Sequence, residues 1–323
     1  MKRPPRYDRI LQARRVPTSL MSKELLMRIT IAATLTVLAC TVPLSAAAQS
    51  PSTLEKIKQS GAMTLAYREA SIPFSYLDDK AQPVGFGAEI CGKIVEQVKK
   101  ATGRADLKVN LQAVTSANRI PLLQNGTIDI ECGSTTNNSE RQKQVAFATN
   151  YFYTGTRFLV KAGTAVKSLD DLKGKPVVST TGTTNFKIIR NLNEEKKLGI
   201  DLLGAKDHAE SALMVQTDRA LAFAMDDILL YGLKASSQNP AELAVVGEPI
   251  QVEPYAIMLR RDDPAFKKLV DDTIAGLIKS GEFETLYKKW FQSPIPPKGI
   301  NLNAPMSQEL IDNMKALSDK PAT

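Results

Sequence analysis

Twice along the chain, short runs with the alternation of strands are interleaved with segments of helical spacing, and the first set is complete before the second begins. In the first set, a helix over residues 52–60 leads into an alternating run at 62–67. Phe86, Ile90, Cys91, Ile94, Val95 and Val98 then keep helical spacing until Lys99, Lys100 and Gly103 stop it. Residues 107–113 alternate, a short helix at 118–124 is stopped by Asn125-Gly126, and 127–132 reads as a strand. After a β-rich run at 156–161 the pattern restarts. A capping box at Ser168-Leu169-Asp170-Asp171 precedes a strand at 176–179, and the threonine-rich stretch 180–185 caps a helix through Leu192. Leu202 and Leu203, residues 221–225, Val245 with Val246, and 255–259 read as strands, with a helix from Asp207 to Gln216 between the first two. Helices follow at 264–279 and 282–291. Strand and helix alternating in two successive sets predict two α/β lobes. Ser293-Pro294-Ile295-Pro296-Pro297 ends the pattern, and residues 300–323 form a polar tail with one weak helix at 307–317, expected to be surface structure or partly mobile.

The 323-residue length fits about two domains of ordinary size. A formal charge of +8 would suggest an anionic polymer as partner if it were spread over the fold. Residues 1–48, however, hold eight of the 42 basic residues and only Asp8 and Glu24 of the 34 acidic ones, which leaves the rest at +2 and nucleic-acid binding without its main support. That basic segment runs into an apolar stretch at 29–44 and then Ser45-Ala46-Ala47-Ala48-Gln49. Basic flank, short apolar run and small-residue end have the form of a secretory signal peptide over residues 1–48, cleaved after Ala48. The flank is long for a signal, which makes Met21 or Met27 alternative starts. Cys40 follows Val37-Leu38-Ala39, a poor context for lipidation. Export would leave Cys91 and Cys132, which either bridge in an oxidising compartment or pack as two buried thiols.

The densest polar chemistry lies at 113–147, where Ser116, Arg119, Ser134, Thr135, Thr136 and Arg141 follow one another with almost no acid in the same stretch. Guanidinium forks and hydroxyls at strand ends, with free N–H groups at a helix start, make a kit for carboxylates. The alternative is ordinary: solvated arginines, and serines and threonines acting as turns and caps. Arg68 stands at the C-terminal end of the first strand, where open α/β sheets bind ligands. In the second set Thr181, Gly182, Thr183 and Thr184 open a helix, His208 is the only histidine, and Asp226 follows the buried Leu221-Ala222-Phe223-Ala224-Met225. The threonines lack the glycine and lysine pattern of a phosphate loop. A carboxylate leaving a buried strand needs a partner.

These stretches carry a resemblance. TLAYRE, PVGFGAEICGKIV, TSANRIPLL, ECGSTTNNSERQKQVAF, STTGTT, DHAES, AFAMDD and KKWFQSPIPPKG, in this order over residues 54–297, resemble the periplasmic amino-acid-binding proteins of ABC importers, specifically those for glutamate and aspartate. The resemblance implies a type II periplasmic binding protein fold: lobe one at 49–154 and 254–299, lobe two at 155–253, crossing strands near 155–160 and 252–259, and a tail at 300–323. It implies a ligand set of Arg68, Ser116, Arg119, Ser134, Thr136, Arg141, Thr184, His208 and Asp226. Arg141 with the Thr184 helix start would hold the α-carboxylate, Asp226 the α-ammonium, and Arg68, Arg119, Ser116 and His208 the side-chain carboxylate. It also implies a Cys91–Cys132 disulfide, an inner-membrane ABC permease as partner, a monomer in the periplasm, and no cofactor, metal or nucleic acid.

Charge supports an acidic ligand independently. Three arginines against Asp226 put the site at +2, and a dicarboxylic amino acid at −1 brings the sum near neutrality, whereas a neutral amino acid would leave guanidinium groups desolvated and unpaired. The competing class is a periplasmic enzyme on the same fold, such as a dehydratase acting on a small carboxylic acid. Acid/base work would fall to His208 or Asp226, which both have binding roles.

Overall fold

The computed structural model describes residues 52–322. The signal peptide expected at 1–48, its cleavage and the state of Cys40 lie outside the described residues.

The chain opens with α1 (Thr53–Ser60), started by a reciprocal Ser52/Glu55 capping box and stopped by Gly61 in the left-handed conformation. β1 (Ala62–Tyr67) follows, then a small antiparallel sheet of β2 (Ala70–Ser71), β3 (Ser75–Leu77) and β4 (Pro83–Val84). α2 (Phe86–Thr102) buries every apolar residue that its spacing assigns to one face. β5 (Lys108–Ala113), α3 (Arg119–Gln124), β6 (Ile130–Glu131) and α4 (Ser139–Gln142) lead into the long β7 (Ala146–Lys161). The second set comprises β8 (Pro176–Thr180), α5 (Thr184–Lys196), β9 (Asp201–Ala205), α6 (His208–Gln216), β10 (Ala222–Asp226), α7 (Asp227–Ser236) and β11 (Leu243–Val246). The chain then returns through β12 (Val252–Leu259), α8 (Pro264–Ser280), α9 (Glu282–Phe291) and α10 (Gln308–Ala316).

The strands lie in the order β5-β1-β6-β12-β7-β10-β8-β9, with β11 also on β7. β1 runs parallel to β5 and β6, and β8 parallel to β9 and β10, while β7 and β12 are antiparallel to their neighbours. β7 serves both halves: its residues up to Gly155 pair with β12, and from Thr156 onward it pairs with β10 and β11. The result is two α/β lobes joined by two strand connections, the type II periplasmic binding protein fold. Partner exchange on β7 occurs at the start of the 155–160 stretch, and the return crossing precedes Val252. A Cβ on Gly155 would sit 2.7 Å from both the Gln251 carbonyl and Pro249 Cβ, so the two connections touch there and only glycine fits.

The last helices complete the first lobe after the second is finished. Phe283 and Phe291 meet Phe86 edge-on, and Phe291 stacks on Phe152 at 5.0 Å, which puts residues from three distant segments into one aromatic core. Cys91 on α2 is bonded to Cys132 just beyond β6, which decides between bridge and separate thiols. The tail, expected to be surface structure or partly mobile, is surface structure held against the first lobe. α10 buries Leu310 and Asn313, and residues 318–322 hydrogen-bond along the first lobe. The tail's polar composition concealed this because it is held mostly through backbone groups.

Candidate functional site

Each candidate residue stands at the end of a strand or the start of a helix, on the rim where the lobes face each other. From the first lobe come Arg68 beyond β1, Ser116 between β5 and α3, Arg119 as the first residue of α3, Ser134 and Thr136 in the loop after β6, and Arg141 on α4. From the second come Thr184 at the first turn of α5, His208 at the first turn of α6, and Asp226 at the end of β10. Ser116, Arg119, Ser134, Thr136, Thr183, Thr184, Asn185, His208, Met225, Asp226 and Leu229 line one narrow, closed cleft too tight to admit a water molecule. Arg68 and Arg141 join it through hydrogen bonds. A larger groove of about 790 Å³ between α2 and α8 is lined by solvent-exposed lysines such as Lys93 and Lys268, and lacks buried donors that would favour a ligand over water.

The lobes meet through polar contacts. Arg68 Nη2 donates to Ser116 Oγ at 3.0 Å and lies 3.2 Å from His208 Nε2 across the cleft. Arginine only donates, so Nε2 accepts and the ring proton belongs on Nδ1, 2.9 Å from Thr180 Oγ. Burial and the Arg68 charge push the His208 pKa well below its usual value, which keeps that ring neutral. Arg141 donates from Nη1 to the Thr136 carbonyl at 2.9 Å and from Nη2 to the Gly182 carbonyl at 3.1 Å on the opposite lobe. Thr136 and Thr184 hydroxyls are 3.3 Å apart. Burial lowers Arg68 to about 9 and Arg141 to about 10, with the Arg119 charge adding to both, yet both remain cationic at neutral pH. Several buried donors have no hydrogen-bond partner: Arg68 Nη1, and Arg119 Nε and Nη1. Buried, positively charged donors in this condition call for an anion.

The structure brings all nine sequence candidates together and adds four residues that the sequence reading missed. Asp226 accepts from Asn185 Nδ2 at 2.7 Å and from the Tyr255 hydroxyl. Glu253, fully buried at the head of β12, accepts from Thr184 Oγ at 2.7 Å. Glu131, also fully buried, lies 3.7 Å from Arg119 Nη1 and accepts from Thr135. The site charge of +2 is therefore corrected: Glu131 and Glu253 join Asp226 against the three arginines, and the formal sum is zero. Burial, and then the Glu253 charge, push Asp226 up to about 7, and burial raises Glu253 as well. The available signal for Glu131 was its place in the buried run Ile128-Asp129-Ile130-Glu131-Cys132, where an acid needs a cation nearby. Glu253, in Val252-Glu253-Pro254-Tyr255, offered no comparable signal. Among the described residues no group of His, Cys, Asp and Glu is arranged to hold a metal ion, and no helix is long and apolar enough to cross a membrane.

The chain is similar to known proteins of one family. Residues 63–293 match the model of the bacterial extracellular solute-binding proteins, family 3. The chain is 51% identical over 271 residues to the L-glutamate/L-aspartate-binding protein of Pseudomonas aeruginosa, covering 84% of this chain and 90% of that one. It is 50% identical to the glutamate/aspartate import solute-binding protein of Salmonella typhimurium, covering 83% and 89%. Among solved structures, an ancestral arginine-binding protein bound to arginine superposes with a TM-score of 0.64 at 29% identity, covering 72% of this chain and 98% of that one.

Proposed function

Since the chain belongs to the bacterial extracellular solute-binding proteins of family 3, we propose that it captures L-glutamate or L-aspartate between its lobes in the periplasm and delivers it to an inner-membrane ABC permease. It is a carrier, not an enzyme. The observation that carries the ligand class is the set of buried donors without hydrogen-bond partners on Arg68 and Arg119. These two arginines, with Ser116, hold the side-chain carboxylate beside His208, whose Nε2 accepts from Arg68 and fixes that guanidinium. Arg141, Thr136, Ser134 and the N–H groups at the Thr184 helix start hold the α-carboxylate, and Asp226 holds the ammonium. The mature chain begins after Ala48 and works as a monomer, with lobes at 49–154 with 254–299 and at 155–253.

The dehydratase-like alternative is not favoured. His208 has both nitrogens engaged and is held neutral beside Arg68, Asp226 is taken by the ligand's ammonium, and the relatives of about 50% identity are named as solute-binding proteins. Calorimetry of ligand-stripped protein against an amino-acid panel tests the reading. Glutamate and aspartate should bind with one site, and glutamine more weakly by about 2–3 kcal/mol, the scale of a lost charge-assisted pair. Equal affinity for neutral amino acids, or conversion of the bound acid to a new product, would overturn it.

A further inference from the structure

The loop carrying Thr136 and Arg141 is too short to hold its own shape. α4 spans Ser139–Gln142, a single turn, and isolated turns are unstable. Between the two ligand-facing residues lie Asn137, fully buried, and Asn138, whose side chain caps Arg141 N at 2.9 Å. On one side β12 supports this loop: Asn137 N donates to the Pro254 carbonyl at 2.8 Å. On the other side stand the last described residues of the chain. Asn137 Nδ2 donates to the Asp319 carbonyl at 2.8 Å, and Ala322 N donates to the Asn137 carbonyl at 2.9 Å. Gln142 Nε2 reaches Asn137 Oδ1 at 2.9 Å and the Asp319 carbonyl at 3.3 Å. Asn150 on β7 completes the network, donating from Nδ2 to the Lys320 carbonyl at 2.8 Å and from its own N–H to the Ser318 carbonyl at 3.0 Å. Asn313 Nδ2 on α10 donates to the Asn150 carbonyl at 2.7 Å and anchors the segment from behind.

We propose that residues 318–322 are a strap that positions the ligand-binding loop, so that Thr136 and Arg141 meet the ligand already ordered. The inference rests on the carboxylate-binding role assigned above to those two residues. The strap acts through its backbone: every bond it makes to Asn137, Asn150 and Gln142 uses a carbonyl or N–H of residues 318, 319, 320 or 322. Its side chains add only an ion pair from half-exposed Asp319 to Lys267, which is a weak contribution. Without the strap, the loop's buried amides would turn to water and the loop would have to be ordered at each binding event, which lowers affinity.

The test uses two variants beside the wild type: a chain ended after Leu317, and a full-length chain with Asp319→Ala, Lys320→Ala and Pro321→Ala together. Glutamate affinity by calorimetry should fall about ten-fold in the shortened chain, the scale of re-ordering a few side chains, and stay within two-fold in the alanine chain. Hydrogen exchange distinguishes positioning from general support. In the shortened, unliganded chain, amides of residues 134–142 should exchange faster and recover protection with saturating glutamate, while those of β8, β9 and β10 stay unchanged. Wild-type affinity in the shortened chain, or equal loss in both variants, would overturn the strap, as would faster exchange spread through both lobes. A wild-type protein that binds no acidic amino acid would instead overturn the ligand reading on which the strap depends.

Discussion

Arg119 stands at the head of α3, 2% exposed, with Glu131 3.7 Å away and its Nε and Nη1 without hydrogen-bond partners. Replacing it by Met keeps a long apolar stem and removes both charge and fork. Glutamate and aspartate should then weaken by at least about 2–3 kcal/mol and glutamine by much less, while Asp226→Asn should weaken every amino-acid ligand. Calorimetry of both variants against glutamate and glutamine decides the matter: equal losses for Arg119→Met would reverse the assignment of the two ends. Asp226 also sets a pH dependence. Its carboxyl is raised from 3.8 to about 7, so the stability it lends the unliganded fold is present at low pH and lost as pH rises through about 7. Neutral, buried His208 works oppositely below its ordinary value of 6.5, which leaves pH 6.5–8 as the window where Asp226 dominates. Across that window the unliganded melting temperature should fall with rising pH. The ligand's ammonium needs the ionised carboxylate, so glutamate affinity should rise over the same window and then level. A flat profile for both would mean that Asp226 is ionised throughout.

At the level of elements, strand ends and helix starts supply the ligand groups, and a covalent tie holds two of them in register. The Cys91–Cys132 bond links α2 to the loop bearing Ser134 and Thr136, closing a separation of 41 residues. Mature, oxidised protein without Cys40, denatured in the absence of reductant, should show no titratable thiol, and the double Cys→Ala variant should lose about 4 kcal/mol in urea unfolding. Two reactive thiols would exclude the bridge. Helices were legible because their caps and apolar faces are local: Thr183 accepts from Phe186 N and Asp207 from Glu210 N, as their positions in sequence imply. Strand β6 was less so. Residues 127–132 were expected in the ladder, but only Ile130 and Glu131 pair, because the Asp129 carboxylate takes the Thr64 N–H at 2.8 Å and the Lys56 ammonium.

For the whole molecule, closure is the property that matters. Arg68 meets His208, Arg141 meets Gly182, and a Cβ on Gly182 would lie 2.5 Å from Ala117 Cα, so the lobes touch along the rim of the cavity. Closing over unpartnered guanidinium groups is unfavourable without an anion to receive them, so glutamate should reduce the radius of gyration measured by small-angle scattering. An unchanged radius on saturation would argue against a hinged clamp. Gly155→Ala, which crowds the contact between the two connections, should destabilise the protein by about 1–3 kcal/mol, measured by thermal unfolding. The amino-acid sequence by itself determined the two α/β lobes, the cysteine pair's candidates and the polar strand ends and helix starts, because alternation, capping and strand-end chemistry are written in neighbouring residues, while the resemblance picked the nine ligand candidates among them. Only the tertiary structure decided the site's true charge, the hold of residues 318–322 and the place where β7 changes partners. Glu131 reaches Arg119, Glu253 reaches Thr184, and Asp319 reaches Asn137 across separations of 12, 69 and 182 residues. Contacts of that kind exist only once the chain has closed on itself, and no local pattern encodes them.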